Sequence, residues 1–207
     1  MSEITAITPQ LKDKRRCNIF VDGRFCCGLT LECTVKNRLK VGQTVSAEYL
    51  SQIQLESEKE TAFDKALTHL SATRKTEKEM RTFLAKKGYL PAVADYVMEK
   101  LRDYNFLNDA EYAEAYAEHA VKNKGGRLIR MELKGKGVSD TTIDAALSAL
   151  DGEQEEEAAK TLLQKYMRGK PINVQTLQKG YRYLMGKGFD YEAAKRVLQA
   201  FGELEEE

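Results

Sequence analysis

Three cations at helical spacing, Arg127, Arg130 and Lys134, are the residues of this chain best suited to a chemical task. At about 100° per residue they fall within an arc of about 60°, while Ile129 and Leu133 point to a neighbouring sector. The result is a basic stripe beside a buried face. One period upstream the matching positions are Lys78, Arg81 and Ala85, and one period downstream they are Gln178, Tyr181 and Met185, so the charge recurs once and then stops. Arg74, Lys75, Lys122 and Lys124 flank the same helix starts and widen the strip. Local patches of this kind, rather than total charge, steer a protein toward a polyanion. Helix starts facing such an anion would add their dipoles and free N–H groups.

Catalysis has no comparable material. The chain holds two histidines, His69 and His119, and lacks H-E-x-x-H, G-x-S-x-G and a phosphate-cradling G-x-x-x-x-G-K-[ST] loop. No pair of carboxylates stands in an apolar setting, so an enzyme is not expected. The four cysteines, Cys17, Cys26, Cys27 and Cys33, form no C-x-x-C pair and lie far in sequence from either histidine. They are expected to fill a compact sheet as small apolar residues, with no metal and no cofactor. Tyr112 and Tyr116, spaced like a stacking pair, are expected in a helix core.

The elements that must position the strip come from a threefold repeat. Leu84-x-x-Lys87-Gly88-Tyr89, Leu133-x-x-Lys136-Gly137-Val138 and Leu184-x-x-Lys187-Gly188-Phe189 recur at a period of about 50 residues, the mark of stacked supersecondary units. Each is followed by one amphipathic face: Ala94/Val97/Met98/Leu101, Ile143/Ala146/Leu147/Leu150 and Ala194/Val197/Leu198/Phe201. The Lys-Gly pair reads as a helix end, with glycine in the left-handed conformation and lysine complementing the helix dipole. Lys87, Lys136 and Lys187 are therefore assigned a structural role.

Cap and breaker residues divide each repeat into three helices. The spacing predicts helices near Ala62–Ser71, Thr76–Lys87 and Pro91–Asp103, then Asp109–Val121, Arg127–Lys136 and Thr141–Leu150, then Glu153–Met167, Val174–Lys187 and Tyr191–Ala200. Thr76 with Glu79 makes a capping box, and Ser139 and Asp190 are caps. Ahead of the repeats, Asn18–Val21 and Arg24–Cys27 flank Asp22-Gly23, the signature of a type I′ hairpin. A short helical turn is expected over Val35–Leu39, a connection over Lys40–Gln43, and a helix from Ser46 to Ile53. The charged stretch Leu55–Glu60 carries no break and reads as a helical linker. The expected architecture is mainly α: a small β-containing module over residues 1–55, then three-helix repeats over 61–105, 106–150 and 153–207, forming a helical tandem array.

Composition agrees with an ordinary soluble protein, at 31% charged and 42% hydrophobic residues. No run of 18 apolar residues occurs, and the start Met1-Ser2-Glu3-Ile4 lacks a basic flank and apolar core, so a cytoplasmic location without membrane contact is expected. Net charge is only +1, but it is segregated. Six basic residues and the single acid Glu132 lie between Lys122 and Lys136, while acid gathers at Glu153–Glu157 and in the last residues.

The runs Ala66-Leu67-x-x-Leu70-Ser71-x-x-Arg74-Lys75-Thr76-Glu77-Lys78-Glu79-Met80, Phe106-Leu107-Asn108-Asp109-x-x-Tyr112-Ala113 and Arg130-x-Glu132-Leu133-x-x-Lys136-Gly137-Val138 resemble the bacterial RecX family, and the N-terminal extension is similar to its longer Gram-positive members. Asn108 stands where the family commonly has a second aspartate, and either residue serves as a helix cap. The resemblance implies a non-enzymatic modulator of the RecA recombinase. Its three-helix repeats would form an elongated curved array in the helical groove of the RecA–single-stranded DNA filament, bridging protomers or capping the growing end and so limiting extension, strand exchange, ATP hydrolysis and the co-protease activity behind the SOS response; the expected state is a monomer. The strip residues are read from the sequence and not from the family. Two other classes fit the same residues: a module binding single- or double-stranded DNA directly, and a helical-repeat adaptor for another protein.

Overall fold

The structure, a computed structural model, describes residues 2–11 and 13–203. The chain divides into two compact units. The first holds residues up to 74 with 80–107, the second residues 75–79 with 108 onward.

In the first unit, β1 (Ser2–Pro9), β2 (Arg16–Val21), β3 (Arg24–Thr30) and β4 (Thr44–Val45) form an antiparallel sheet in the order β3-β2-β1-β4. The predicted hairpin is present: Asp22 and Gly23 have φ of 51° and 77°, the two positive angles of a type I′ turn. Alternation puts Cys17, Ile19, Cys27 and Leu29 inward. The same alternation exposes Cys26, which departs from the expectation that all four cysteines fill the interior. Burial pushes the Cys27 thiol up to about 12, which keeps it neutral. The short helix also differs from its expected position. It is α1 (Leu31–Lys36), started by Thr30, whose Oγ1 accepts from the Cys33 N–H at 3.1 Å, and ended before Arg38 at φ 49°.

Ser46 caps α2 (Ala47–Ala72) by accepting from Tyr49 N–H, and this single helix replaces the expected helix, linker and first repeat helix. Its first half adds Leu50 and Ile53 to the sheet core, and its second half adds Ala62 and Ala66 to the next one. The helical reading of Leu55–Glu60 holds because Ser57, fully buried, accepts from the Thr30 N–H at 2.8 Å and ties the linker to the sheet. Met80 and Leu84 of α3 (Glu77–Lys86) and Val93, Val97, Met98 and Leu101 of α4 (Pro91–Asp103) complete that second core.

The second unit contains α5 (Asp109–Ala120), α6 (Gly126–Gly135) and α7 (Asp140–Ser148) around Ala113, Ala117, Ile129, Leu133 and Ile143. It also contains α8 (Gly152–Met167), α9 (Val174–Gly186) and α10 (Tyr191–Glu203) around Ala159, Leu163, Leu184, Phe189 and Val197. The apolar positions that repeat in the sequence are these cores. Ser139 and Asp190 cap as expected, accepting from Thr142 and Ala193 N–H.

All three Lys-Gly pairs end a helix in the same way. Gly88, Gly137 and Gly188 have φ of 82°, 90° and 91°. The N–H of Tyr89, Val138 and Phe189 reaches back to the carbonyl of Leu84, Leu133 and Leu184 at 3.2–3.3 Å. This is a Schellman end, and it explains the whole Leu-x-x-Lys-Gly-apolar string without a ligand. No helix among the described residues is long and apolar enough to cross a membrane.

Candidate interaction surface

Inside the second unit the start of one second helix meets the end of the next, twice. In the first joint Thr76 Oγ1 donates to the Lys136 carbonyl at 2.7 Å, Lys78 Nζ donates to the Gly135 carbonyl at 3.0 Å, and Glu77 N–H donates to Asp109 Oδ1 at 2.9 Å. In the second, Gly125 N–H donates to the Lys187 carbonyl at 3.0 Å, Arg127 N–H to the Gly188 carbonyl at 3.1 Å, and Gly126 N–H to Glu155 Oε1 at 2.9 Å. Each helix start thus answers the orphan carbonyls of a helix end, and its N–H groups go to carbonyl, hydroxyl and carboxylate oxygens of this chain. The expectation that these starts present free N–H groups to an outside anion is corrected accordingly.

The close approach dictates the glycines. A Cβ on Gly125 would stand 2.3 Å from Phe189 N, and one on Gly188 would stand 2.4 Å from Leu128 Cβ.

Lys136 extends the first joint into a polar cluster. Its Nζ lies 2.9 Å from Glu79 Oε1 and 5.5 Å from the Tyr112 ring centre, and the Tyr112 phenol and the Glu79 carboxylate hold its pKa above the usual lysine value. Burial pushes the Glu79 carboxyl up, but Lys136 and the Thr76 N–H outweigh it and leave it below its ordinary value. Thr76 and Glu79 form the predicted capping box, with Glu79 N–H donating to Thr76 Oγ1. Tyr112 and Tyr116 stack, with ring centres 6.1 Å apart, half-buried against the core of their repeat. Tyr116 also donates to Glu132 Oε2 at 2.6 Å, beside Lys124 at 2.6 Å from Glu132 Oε1. Burial raises Glu132, and these two donors more than reverse it.

Arg81, Lys124, Arg130 and Lys134 of the predicted cationic strip are paired with carboxylates of this chain. Arg81 lies 2.7 Å from Asp95 and Arg130 lies 2.5 Å from Asp144, the same helix-to-helix pair in two repeats. Lys134 binds Asp140, and Lys124 binds Glu132. Lys75 is half-buried and helps to hold Glu79 ionised. Lys122 lines a groove of about 680 Å³ with Glu118, Asp151 and Glu157. The Arg127 side chain is exposed and meets no carboxylate among the described residues. α6 also carries Met131, 64% exposed, beside the arc that holds Arg127, Arg130 and Lys134. Arg74 and Arg81 belong to the first unit and the other seven strip residues to the second.

A second basic region escaped the sequence reading. From Ala158 to Phe189 there are seven basic residues and no acid. Only Lys160 of these pairs with a carboxylate among the described residues, namely Glu156. Lys165, Arg168, Lys170, Lys179 and Arg182 are exposed. Within it Tyr166 and Tyr183 stack at 4.5 Å, with Lys170 over one ring at 3.2 Å and Lys187 over the other at 5.6 Å. The missed signal was the absence of acid, since comparison with Arg127, Arg130 and Lys134 asked only for cations at three fixed positions.

Four stretches of the chain match parts of one family in order. Residues 2–46 match the description "Regulatory protein RecX N-terminal domain", 62–101 "RecX, first three-helix domain", 108–147 "RecX, second three-helix domain" and 153–198 "RecX, third three-helix domain". Among curated relatives, "Regulatory protein RecX" of Clostridium botulinum (strain Eklund 17B / Type B) is 31% identical over 203 residues, covering 96% of each chain. That of Bacillus velezensis is 35% identical over 96% of this chain and 77% of its own. Of solved structures, "Crystal structure of regulatory protein RecX" superimposes with a TM-score of 0.73 at 26% identity, over 95% of this chain and 98% of the other. "Crystal structure of RecX from Lactobacillus salivarius" gives 0.66 at 25% identity over 71% and 97%.

Proposed function

The chain belongs to the RecX family, and from that membership we propose that it regulates a RecA recombinase by binding the RecA–single-stranded DNA filament. In this reading it limits filament extension, ATP hydrolysis, strand exchange and co-protease activity without catalysing a reaction, as a monomer in the cytoplasm. The observation that carries the reading is the order of four RecX parts along nearly the whole chain. A protein built from tandem repeats suits a partner that is itself a repeating helix, because each repeat meets an equivalent surface. The ion pairs support a proteinaceous filament surface of mixed charge over bare phosphate: Arg81 sits beside Asp95 in one repeat and Arg130 beside Asp144 in the next, so each repeat presents both signs.

The test is binding of labelled protein to single-stranded DNA, bare and coated with RecA and a slowly hydrolysed ATP analogue, with RecA ATPase followed in parallel over a range of salt. Preference for the filament with falling ATPase is expected. Equal binding to both, or no effect on ATPase, would overturn the proposal.

A further inference from the structure

We infer that the third repeat carries a binding site for unpaired nucleic-acid bases, formed by the Tyr166–Tyr183 stack and the unpaired cations around it. On α9, Arg182, Gly186 and Lys179 fall within an arc of about 60° on the exposed side, and Tyr183 and Lys187 border the buried positions Gly180 and Leu184. Lys179 and Arg182 are exposed, and nothing stands within 4 Å of where a Gly186 side chain would begin, so the helix backbone is open to a ligand there. Tyr183 is half-buried and anchored by its stack on Tyr166 of α8, and Lys170 and Lys187 bring ammonium groups to the two rings.

Two independent features single out the ligand class. The first is the charge: six of the seven cations between Ala158 and Phe189 meet no carboxylate among the described residues, whereas Arg81, Lys124, Arg130 and Lys134 of the predicted strip all do. A polyanion is the partner that such a face lacks. The second is the aromatic stack, which an acidic protein surface would not need. Bases stack on aromatic rings in a sequence-tolerant way while lysines and arginines follow the backbone, and only an unpaired strand exposes base faces. A lysine over a half-buried ring at the protein surface is a weak contact, so an arriving base takes the ring face and releases the ammonium to a phosphate.

The site is separate from the filament reading, because its probe is nucleic acid without any recombinase. Anisotropy of a labelled oligothymidylate should be followed over a salt series with the full chain, beside an abasic strand of the same length and a duplex. Oligothymidylate should bind more tightly than either. Lys179→Gln/Arg182→Gln should flatten the log–log salt slope by about 1.4, at about 0.7 per phosphate contact for single strands. Tyr183→Leu should weaken oligothymidylate binding about ten-fold while leaving the salt slope and abasic binding unchanged, and Tyr183→Phe should retain wild-type affinity. The phenylalanine variant separates lost stacking from lost fold. Absence of binding at low salt, equal affinity for the abasic strand, or competition by polyglutamate as effective as by the strand would overturn the inference.

Discussion

Thr76 Oγ1 and the backbone carbonyl of Lys136, 60 residues apart, are joined by a hydrogen bond of 2.7 Å, so the hydroxyl that caps one helix also closes the end of another. In the next joint the corresponding residue is Gly125, whose own N–H donates to the Lys187 carbonyl. One geometric demand, an orphan carbonyl at a glycine-ended helix, is met by a side chain in one case and by backbone in the other.

Thr76→Val removes the cap from the Glu79 N–H and takes from the Lys136 carbonyl the hydroxyl of a fully buried threonine. Loss of a cap and of a buried partner together should cost about 2 kcal/mol in urea denaturation. Thr76→Ser should recover most of that, and an unchanged midpoint in the valine variant would dismiss the joint as a stability element.

The glycines should respond in graded fashion. Gly88 has a positive φ with nothing within 4 Å of its missing side chain, so Gly88→Ala should cost only backbone strain, about 1 kcal/mol. Gly125→Ala places a methyl 2.3–2.5 Å from the backbone of Gly188 and Phe189, which cannot rotate away, so it should cost about 3 kcal/mol and expose the Arg127 amide to solvent. Hydrogen exchange at Arg127 in the two variants checks this; equal protection would contradict it.

The helix pattern was legible because local signals and cores coincide: Leu84, Leu133 and Leu184 give both the repeat and the buried face, and Ser139 and Asp190 mark starts that the structure keeps. Strands β1 and β4 were not read. Of β1 only Ile4 is buried and a bulge between Ile4 and Ala6 breaks its alternation, while β4 has two residues, so pairing across the chain creates both. The strip was legible as cations but not as pairs. Asp95 and Asp144 lie a helix away from Arg81 and Arg130, and only the packing of second helix on third brings them together.

Acid should loosen the first joint and the Tyr116 cluster. The carboxyls of Glu79 and Glu132 are held below the ordinary value of 4.5, so each contributes stability that is present above that value and lost as pH falls through the lower folded-state pKa. Lys136, held above 10.5, contributes stability present below that value and lost only in stronger base. Wild-type melting temperature should therefore fall between pH 5 and 3, the interval about the ordinary carboxylate range. The double change Glu79→Gln/Glu132→Gln should start lower at pH 7 and fall less steeply; a parallel fall would assign the acid sensitivity elsewhere.

The strip itself is best tested from both signs. Arg127→Glu/Arg130→Glu should abolish inhibition of RecA ATPase while leaving helicity and melting temperature nearly intact. Arg127 has no carboxylate partner among the described residues, and the Arg130–Asp144 pair is exposed, 42% and 59% at the two side chains. Pairs so wetted contribute between zero and about 1 kcal/mol to stability. Asp144→Asn tests the acidic side. It frees the Arg130 guanidinium but removes the acidic half of the pair, so a filament surface of mixed charge should bind the variant about two- to five-fold more weakly, in keeping with a Coulomb loss of that size. If the asparagine variant instead binds the filament more tightly while remaining folded, the partner surface on this face is anionic, and Asp144 serves only to hold Arg130.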